Sequence, residues 1–279
     1  MIKTDCHMHT AFSSDSEEPM EMMIKGAINK GLDSICFTEH MDLEFPKKYE
    51  LSFVFDIDEY MNSITWLSEK YCDRIRIFKG IEIGLKPNLS DQYDRILSSY
   101  DWDFVIGSTH LVDNIDPYYG EYWEGKDEKT QIYHYFECIY KNISACNNYD
   151  SLGHLDYILR YAPSKGTDFS YNDYKDILDC ILKHIIDNNK SLEINSAGYK
   201  AGLLAPNPSE SIIKSYMELG GTSFTIGSDA HTSLHIAYDF DRLNKLLESL
   251  NINSYKVYAA RNHIHMILII QSKMASIEN

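Results

Sequence analysis

No Cys-x-x-Cys pair and no finger-type spacing occurs among the six cysteines, Cys6, Cys36, Cys72, Cys138, Cys146 and Cys180. That excludes a zinc-finger framework, and with no secretory leader the six are expected to be reduced thiols in the cytoplasm. No stretch approaches the roughly 20 apolar residues that span a bilayer, so no membrane role is expected. Basic residues are few: 26 Lys and Arg stand against 42 Asp and Glu, a net charge of −16. Nucleic-acid backbones want a basic face, so none is expected as a partner. Carboxylates that ligate metal would make that count overstate the charge of a loaded protein. Also lacking are low-complexity stretches, a fixed-period repeat and any Pro/Gly/Ser-rich linker. Residues 1–279 are therefore read as one domain, with 44% apolar residues to fill its core.

What recurs is a short run rich in Ile, Val and Phe that ends in a polar cluster and is followed by a segment of helical period. The runs are IKTDC before His7, then DSICFTEH, RIRIFKGIEIG, DFVIGSTH, YDSLGHLD, SLEINSAG and TSFTIGSDAH. Between them lie amphipathic segments. In EPMEMMIKGAINKGL, residues Met20, Met23, Ile24, Ala27 and Ile28 share a face, and Gly31 suits a C-cap. SESIIKSYMELGG repeats that design, with Ser209 as N-cap and Gly220 past the end. Seven strands alternating with helices at roughly 30- to 45-residue intervals predict βαβ units and a parallel sheet. Each strand ends in His, Glu, Asp or Asn. An open doubly wound sheet gathers polar ends at its switch point, whereas a parallel barrel brings every strand C-terminus to one face. The expectation is a closed or nearly closed α/β barrel. YDFDRLNKLLESL predicts a last helix, and SYKVYAARNHIHMILII an outer strand or tail with little chemistry.

In the opening Thr4–His9 stretch (TDCHMH), strand alternation points His7 and His9 to one side. Collecting the polar strand ends adds Asp15 in the next loop, His40, Glu82, His110, His154, Asp229 and His231. His, Asp and Glu suit borderline divalent ions such as zinc, manganese and iron. Nine such residues exceed one tetrahedral site and suffice for two or three ions, with Glu82 placed to bridge a pair. A lone strand-end histidine is more often a hydrogen-bonded structural residue. Nine ionisable groups at one topological position are not explained by packing, because unpaired buried charges are costly. His134, His184, His235, His263 and His265 lie in helices, after the last cluster or in the tail, and are read as surface residues.

DCHMHTAFSSD, FTEH, GIEIG, GSTH, GHLD, EINSAG and GSDAH, in this order over about residues 1–245, resemble the PHP (polymerase and histidinol phosphatase) superfamily. DFVIGSTH and EINSAGYKAG are most similar to its histidinol-phosphatase branch. The resemblance implies a distorted seven-stranded (β/α)7 TIM-like barrel with a trinuclear metal centre at the C-terminal face. By position it implies that His7, His9, Glu82 and Asp229 hold one ion. Glu82 would bridge to a second, with His110 and His154, and Asp15, His40 and His231 would hold a third. Some branches carry histidine where Asp15 stands. The resemblance also implies phosphate binding by Arg160, and by Lys200 at a position often arginine in this branch, where a fork becomes a point charge.

The implied activity is that of a phosphoric monoester hydrolase converting L-histidinol phosphate to L-histidinol and phosphate in histidine biosynthesis. Two ions sharing Glu82 would lower the pKa of a water between them, and the hydroxide would attack phosphorus in line. Arg160, Asp229 and His231 are the catalytic candidates, Asp229 or His231 as proton shuttle, with Asp42 an outside candidate. The loop after His110 is rich in acidic and aromatic residues; Asp113, Asp116, Tyr118, Tyr119 or Trp123 could meet an ammonium and an imidazole. Two other readings stand beside this: a PHP phosphoesterase for another small ester such as a nucleotide, and a catalytically silent metal-binding module. The partner expected is a small phosphate ester, on a monomer or small homo-oligomer.

Overall fold

The computed structural model describes residues 1–268. Seven parallel strands form one sheet in chain order: β1 (Thr4–Asp5), β2 (Ser34–Met41), β3 (Arg76–Gly84), β4 (Phe104–Ser108), β5 (Ser151–Leu152), β6 (Ser191–Asn195) and β7 (Phe224–Gly227). The two edges approach each other. Cys6 N–H donates to the Ile226 carbonyl at 2.9 Å, Asp229 N–H to the His7 carbonyl at 2.8 Å, and Met8 bridges Ala230 in parallel. The sheet is a nearly closed barrel, as its polar strand ends predict.

Helices cover the outside: α1 (Met20–Asn29), α2 (Ile57–Lys70), α3 (Ser90–Ser99), α4 (Glu128–Ala145), α5 (Lys175–Asp187), α6 (Ala197–Lys200), α7 (Glu210–Glu218) and α8 (Phe240–Ser249). Their packing follows the predicted stripes. Met20, Met23, Ile24 and Ala27 of α1 are buried, Ile28 is half-buried, and Gly31 beyond the C-cap takes φ +70°. In α7, Ile212, Ile213 and Tyr216 turn inward after Ser209. Side chains of Asp56 and Asp127 accept from the first-turn N–H groups of Glu59 and Thr130, which sets the starts of α2 and α4. All eight residues of β2 are buried, as befits a strand covered on both faces.

The segment read as an outer strand or tail is instead an antiparallel hairpin, β8 (Ser254–Ala259) with β9 (Asn262–Ile267); residues 269 and 270 of that segment lie outside the described residues. It lies across the N-terminal ends of the barrel strands. Tyr255 Oη accepts from Lys3 and Thr4 N–H at 3.1 Å, and Tyr258 Oη lies 2.9 Å from Ser191 Oγ. At the tip, Ala260 N–H donates to Asp103, and Arg261 pairs with Asp150 at 2.6 Å. Ala260 and Arg261 take φ of 48° and 61°, the left-handed pair of a tight hairpin turn. Glycine and asparagine normally signal that turn, and neither stands at its two central positions, so the sequence carries no mark of it.

Candidate metal centre

The barrel order brings the polar strand ends to one place. β2 and β3 are in register so that His40 faces Glu82 across the ladder. Glu82 lies fully buried at the middle of the cluster, with five imidazoles around it. Its Oε2 is 2.8 Å from His40 Nδ1, 3.4 Å from His7 Nε2 and 3.6 Å from His9 Nε2. Its Oε1 is 3.0 Å from His154 Nε2 and 3.3 Å from His110 Nε2. His7 and His9 do share a side, their Nε2 atoms 3.1 Å apart. Asp229 Oδ1 lies 3.4 Å from His9 and 3.7 Å from His231. Asp15, on its loop, reaches His231 at 3.1 Å and His40 at 3.5 Å.

Donor atoms fall into overlapping triples within 4.8 Å: His7–His9–Glu82, Glu82–His110–His154, His7–His154–Asp229, His9–His40–His231 and His40–Asp42–His110. The second reproduces the pairing expected around Glu82. His9 leans toward His40 and His231, with ring centroids 4.0 and 4.3 Å away. Asp15 stands beside that triple rather than within it, and Asp42 joins as a neighbour of His110.

The donor set fits divalent ions on two grounds. Imidazole and carboxylate suit zinc, manganese and iron. Moreover, His154 Nδ1 and Asp42 Oδ2 are buried with no hydrogen-bond partner, and Glu82 Oε2, with the nearest imidazole nitrogen 2.8 Å away, does not have one that is well aligned. Buried polar atoms normally do, and a cation would satisfy the carboxylate oxygens. Protons otherwise stand in for it. Burial pushes the His7 and His40 imidazoles down, yet the carboxylates of Glu193 and Glu82 around His7, and of Asp15 and Glu82 around His40, hold both well above the usual range. His110 is likewise raised to about 10, burial being outweighed by Asp42 and Glu82. His9 is pushed down by burial and by its neighbours His40 and His231.

Around these donors lies a layer of which sequence reasoning named only Asp42, and that as a proton-transfer candidate. Glu193 Oε1 sits 2.6 Å from His7 Nδ1 and takes its N–H, which turns Nε2 toward Glu82; Oε2 accepts the His154 backbone N–H at 2.7 Å. Glu39 accepts from Thr10 and Ser13 and fixes the loop between His9 and Asp15. Asp42 holds His110 Nδ1 at 2.8 Å. The only signal was a carboxylate inside an apolar strand, Glu39 in FTEH and Glu193 in EINSAG. Two glycines make room: a Cβ at Gly227 would strike His7 and Glu193, and one at Gly84 would strike Asp42.

Arg160 is buried beside the cluster. Nε donates to Asn207 Oδ1 at 2.7 Å, Nη1 to Asp229 Oδ2 at 2.7 Å, and Nη2 to Asn195 Oδ1 at 3.2 Å. The Asn207 amide is oriented by Asp156, which accepts its N–H at 2.6 Å. Lys200 Nζ reaches the Asp229 carbonyl at 3.4 Å but does not line the cavity over the cluster. That cavity, about 370 Å³, is lined by Asp15, His40, His110, His154, Arg160, Asp229 and His231 on the ionisable side and by Phe53, Tyr118, Tyr119, Tyr157 and Tyr161 among its rings. Asp116 lines it as well. Asp113 and Trp123 do not: Asp113 pairs with His134, and Trp123 Nε1 donates to the Pro117 carbonyl. His263 and His265 are exposed, His134 is half-buried, His184 meets the Ile143 carbonyl, and His235 lies in a turn after the last cluster.

Comparison with known proteins agrees with this geometry. The family profile described as PHP domain matches residues 5–197. A probable histidinol-phosphatase of Clostridium acetobutylicum is 36% identical over 248 residues, covering 89% of this chain and 94% of that one. The histidinol-phosphatase of Lactococcus lactis is 34% identical over 233 residues, covering 83% and 85%. The crystal structure of histidinol phosphate phosphatase from that species, complexed with zinc, L-histidinol and phosphate, superposes with a TM-score of 0.85 at 28% identity, covering 94% of this chain and 98% of that one.

Proposed function

The chain belongs to the PHP family, and from that membership we propose that it is a metal-dependent phosphomonoesterase that hydrolyses L-histidinol phosphate to L-histidinol and phosphate, a step of histidine biosynthesis. The observation that carries this reading is the Glu82 carboxylate with five imidazoles around it, three of which, His40, His110 and His154, line a cavity that Arg160 also lines. The cofactors are two or three divalent transition-metal ions, zinc, manganese or iron. His7, His9, Asp15, His40, Glu82, His110, His154, Asp229 and His231 would hold them. Such ions, when bound, neutralise phosphoryl oxygens and acidify the attacking water at neutral pH.

The chain's own residues bind the phosphate and manage the leaving group. Arg160 has three acceptors already, which sets its plane before substrate arrives and leaves two of its five N–H donors for the phosphate. Such a fixed fork stabilises charge on a transferring phosphoryl group without reorganising. Lys200 is a supporting charge behind Asp229 rather than a direct contact. Burial pushes the Asp229 carboxyl up, but Arg160 and His7 hold it well below the usual range, so it stays ionised. An ionised Asp229 takes a proton rather than gives one, and His231 is the other candidate for moving a proton at the departing alkoxide. Arg160, Asp229 and His231 are thus the catalytic set.

The described residues form one sheet with its flanking helices and a packed hairpin, which supports reading the chain as a single domain. All six cysteines are unpaired, and among the described residues no helix is long and apolar enough to cross a membrane. The unpaired thiols support placing the enzyme in the cytoplasm, and the assembly proposed is a monomer or small homo-oligomer.

The test is phosphate release from L-histidinol phosphate by metal-replete protein, against nucleoside monophosphates and sugar phosphates, with His110→Asn as control. Strong preference for histidinol phosphate, lost in the variant, is expected. Activity confined to another ester would overturn the substrate while leaving the metal centre standing, and inactivity on the whole panel would make the chain a silent metal-binding module.

A further inference from the structure

Two of the three acceptors that hold Arg160 are asparagine amides, and a buried acid stands behind each of them. Asn195 Nδ2 donates to Glu193 Oε2 at 3.1 Å, which leaves its Oδ1 for Arg160 Nη2. Asn207 Nδ2 donates to Asp156 Oδ1 at 2.6 Å, which leaves its Oδ1 for Arg160 Nε. The two asparagines exchange backbone hydrogen bonds at 2.7 and 2.8 Å, so both amides stand on one bridge between β6 and the segment before α7. Glu193 is shared with His7, whereas the Asp156 oxygens are taken by Asn207 and by the Ser209 N–H at 2.8 Å. Asp156 is buried behind Asn207 and does not line the cavity, so it does not meet a bound ester directly.

A buried carboxylate is costly where an amide of the same size would fill the space. The amide would do a different job here. An amide has a donor end and an acceptor end, and only the acceptor end can face a guanidinium N–H. Asp156 meets donors at both oxygens, so it offers Asn207 an acceptor and draws Nδ2 toward itself. An amide at position 156 could still take the Ser209 N–H, but it would then present N–H groups to Asn207. The Asn207 amide would turn to meet them and aim its own N–H at Arg160 Nε, donor against donor. An unsatisfied buried donor is costly, and the guanidinium would leave its plane.

Resting on the reading of Arg160 as the phosphate-binding fork, we propose that Asp156 is a positioning residue for phosphoryl transfer. It acts through the Asn207 amide and holds the Arg160 guanidinium in the plane that meets the phosphoryl oxygens.

The experiment measures kcat and KM for L-histidinol phosphate, inhibition by inorganic phosphate, and metal content. The proteins are metal-replete wild type, Asp156→Asn, the exchange of Asp156→Asn with Asn207→Asp, and Arg160→Lys with and without Asp156→Asn. Asp156→Asn is expected to lower kcat/KM by roughly 10- to 100-fold, as a misplaced clamp does, and to weaken phosphate inhibition with metal content unchanged. The exchange moves the carboxylate to position 207, where it accepts from both the new amide and Arg160, and is expected to restore most of the loss. It also carries the test if Asp156→Asn alone does not fold, and inactivity of the exchange at full metal content would overturn the proposal. In Arg160→Lys, whose ammonium has no plane to hold, Asp156→Asn is expected to cost nothing further. Equal losses in both Arg160 backgrounds, no loss in either, or loss of metal would overturn the proposal and leave the enzyme a histidinol phosphatase. Wild-type kinetics and phosphate inhibition in Arg160→Lys would overturn the reading of Arg160 and the proposal with it.

Discussion

The two ends of the barrel use the same seven strands and treat charge in opposite ways. At the C-terminal end, six histidines crowd around Glu82 and Asp229, and buried atoms such as Asp42 Oδ2 are left without hydrogen-bond partners. At the N-terminal end, Asp103 and Asp150 each receive a backbone N–H from the strand beside them and a second group from the hairpin tip, Ala260 N–H and the Arg261 guanidinium. One end is incomplete without a cation, whereas the other satisfies its acids from within the chain. Function is thus held where the fold leaves charge unanswered, and stability where it does not.

The largest effect that would break this contrast is expected from Glu82→Gln. It keeps the shape but removes the charge that five imidazoles surround. Metal content by elemental analysis and phosphate release should both fall, the latter by about 100- to 1,000-fold or more, as for loss of one member of a buried charge cluster. Full metal occupancy in that variant would show that Glu82 is not the hub.

A middle-sized effect concerns pH. In the metal-free protein His110 is raised from 6.5 to about 10 by Asp42 and Glu82, against the pull of burial. A raised folded pKa gives stability that is fully present below about 6.5 and lost as pH climbs through about 10. Protein stripped with a chelator should therefore melt at progressively lower temperature across that window. Ions displace the same proton, so loading should release protons and tighten by about tenfold per pH unit for each one released. Calorimetry in buffers of different ionisation enthalpy reads this directly. A melting temperature that stays flat over the window would count against protons standing in for metal.

The smallest effect belongs to the other end. Ala260 takes φ 48°, a conformation that costs an alanine about 1 kcal/mol relative to glycine. Ala260→Gly should raise the thermal midpoint by a few degrees and leave kcat and KM unchanged, because the hairpin touches only the foot of the barrel. Any change in KM would mean that the two ends are coupled.

Much of the donor set was legible because each member ends an apolar run, and a parallel barrel has only one place to collect such ends. The alternation that put His7 and His9 together needed no tertiary knowledge. What was not legible depends on which strand lies beside which. Glu193 serves His7 across 186 residues of chain, and Asp42 serves His110 across 68. The hairpin was hidden for a local reason, since Ala260 and Arg261 make its turn without the residues that advertise one. In the loop after His110, composition could not sort Asp116, which lines the cavity, from Asp113, which pairs with His134 at the surface.

Gly227 and Gly84 bear on anyone who would transplant this centre onto another barrel. A graft that copied only the histidines and acids would place them on strands whose ordinary side chains occupy the space of His7, Glu193 and Asp42. The recipient would need hydrogen atoms at those two positions before a single donor could be set. The same holds for drift in the natural chain: a change of either glycine to even alanine would displace a donor or its support without altering any of the nine residues proposed to hold the ions.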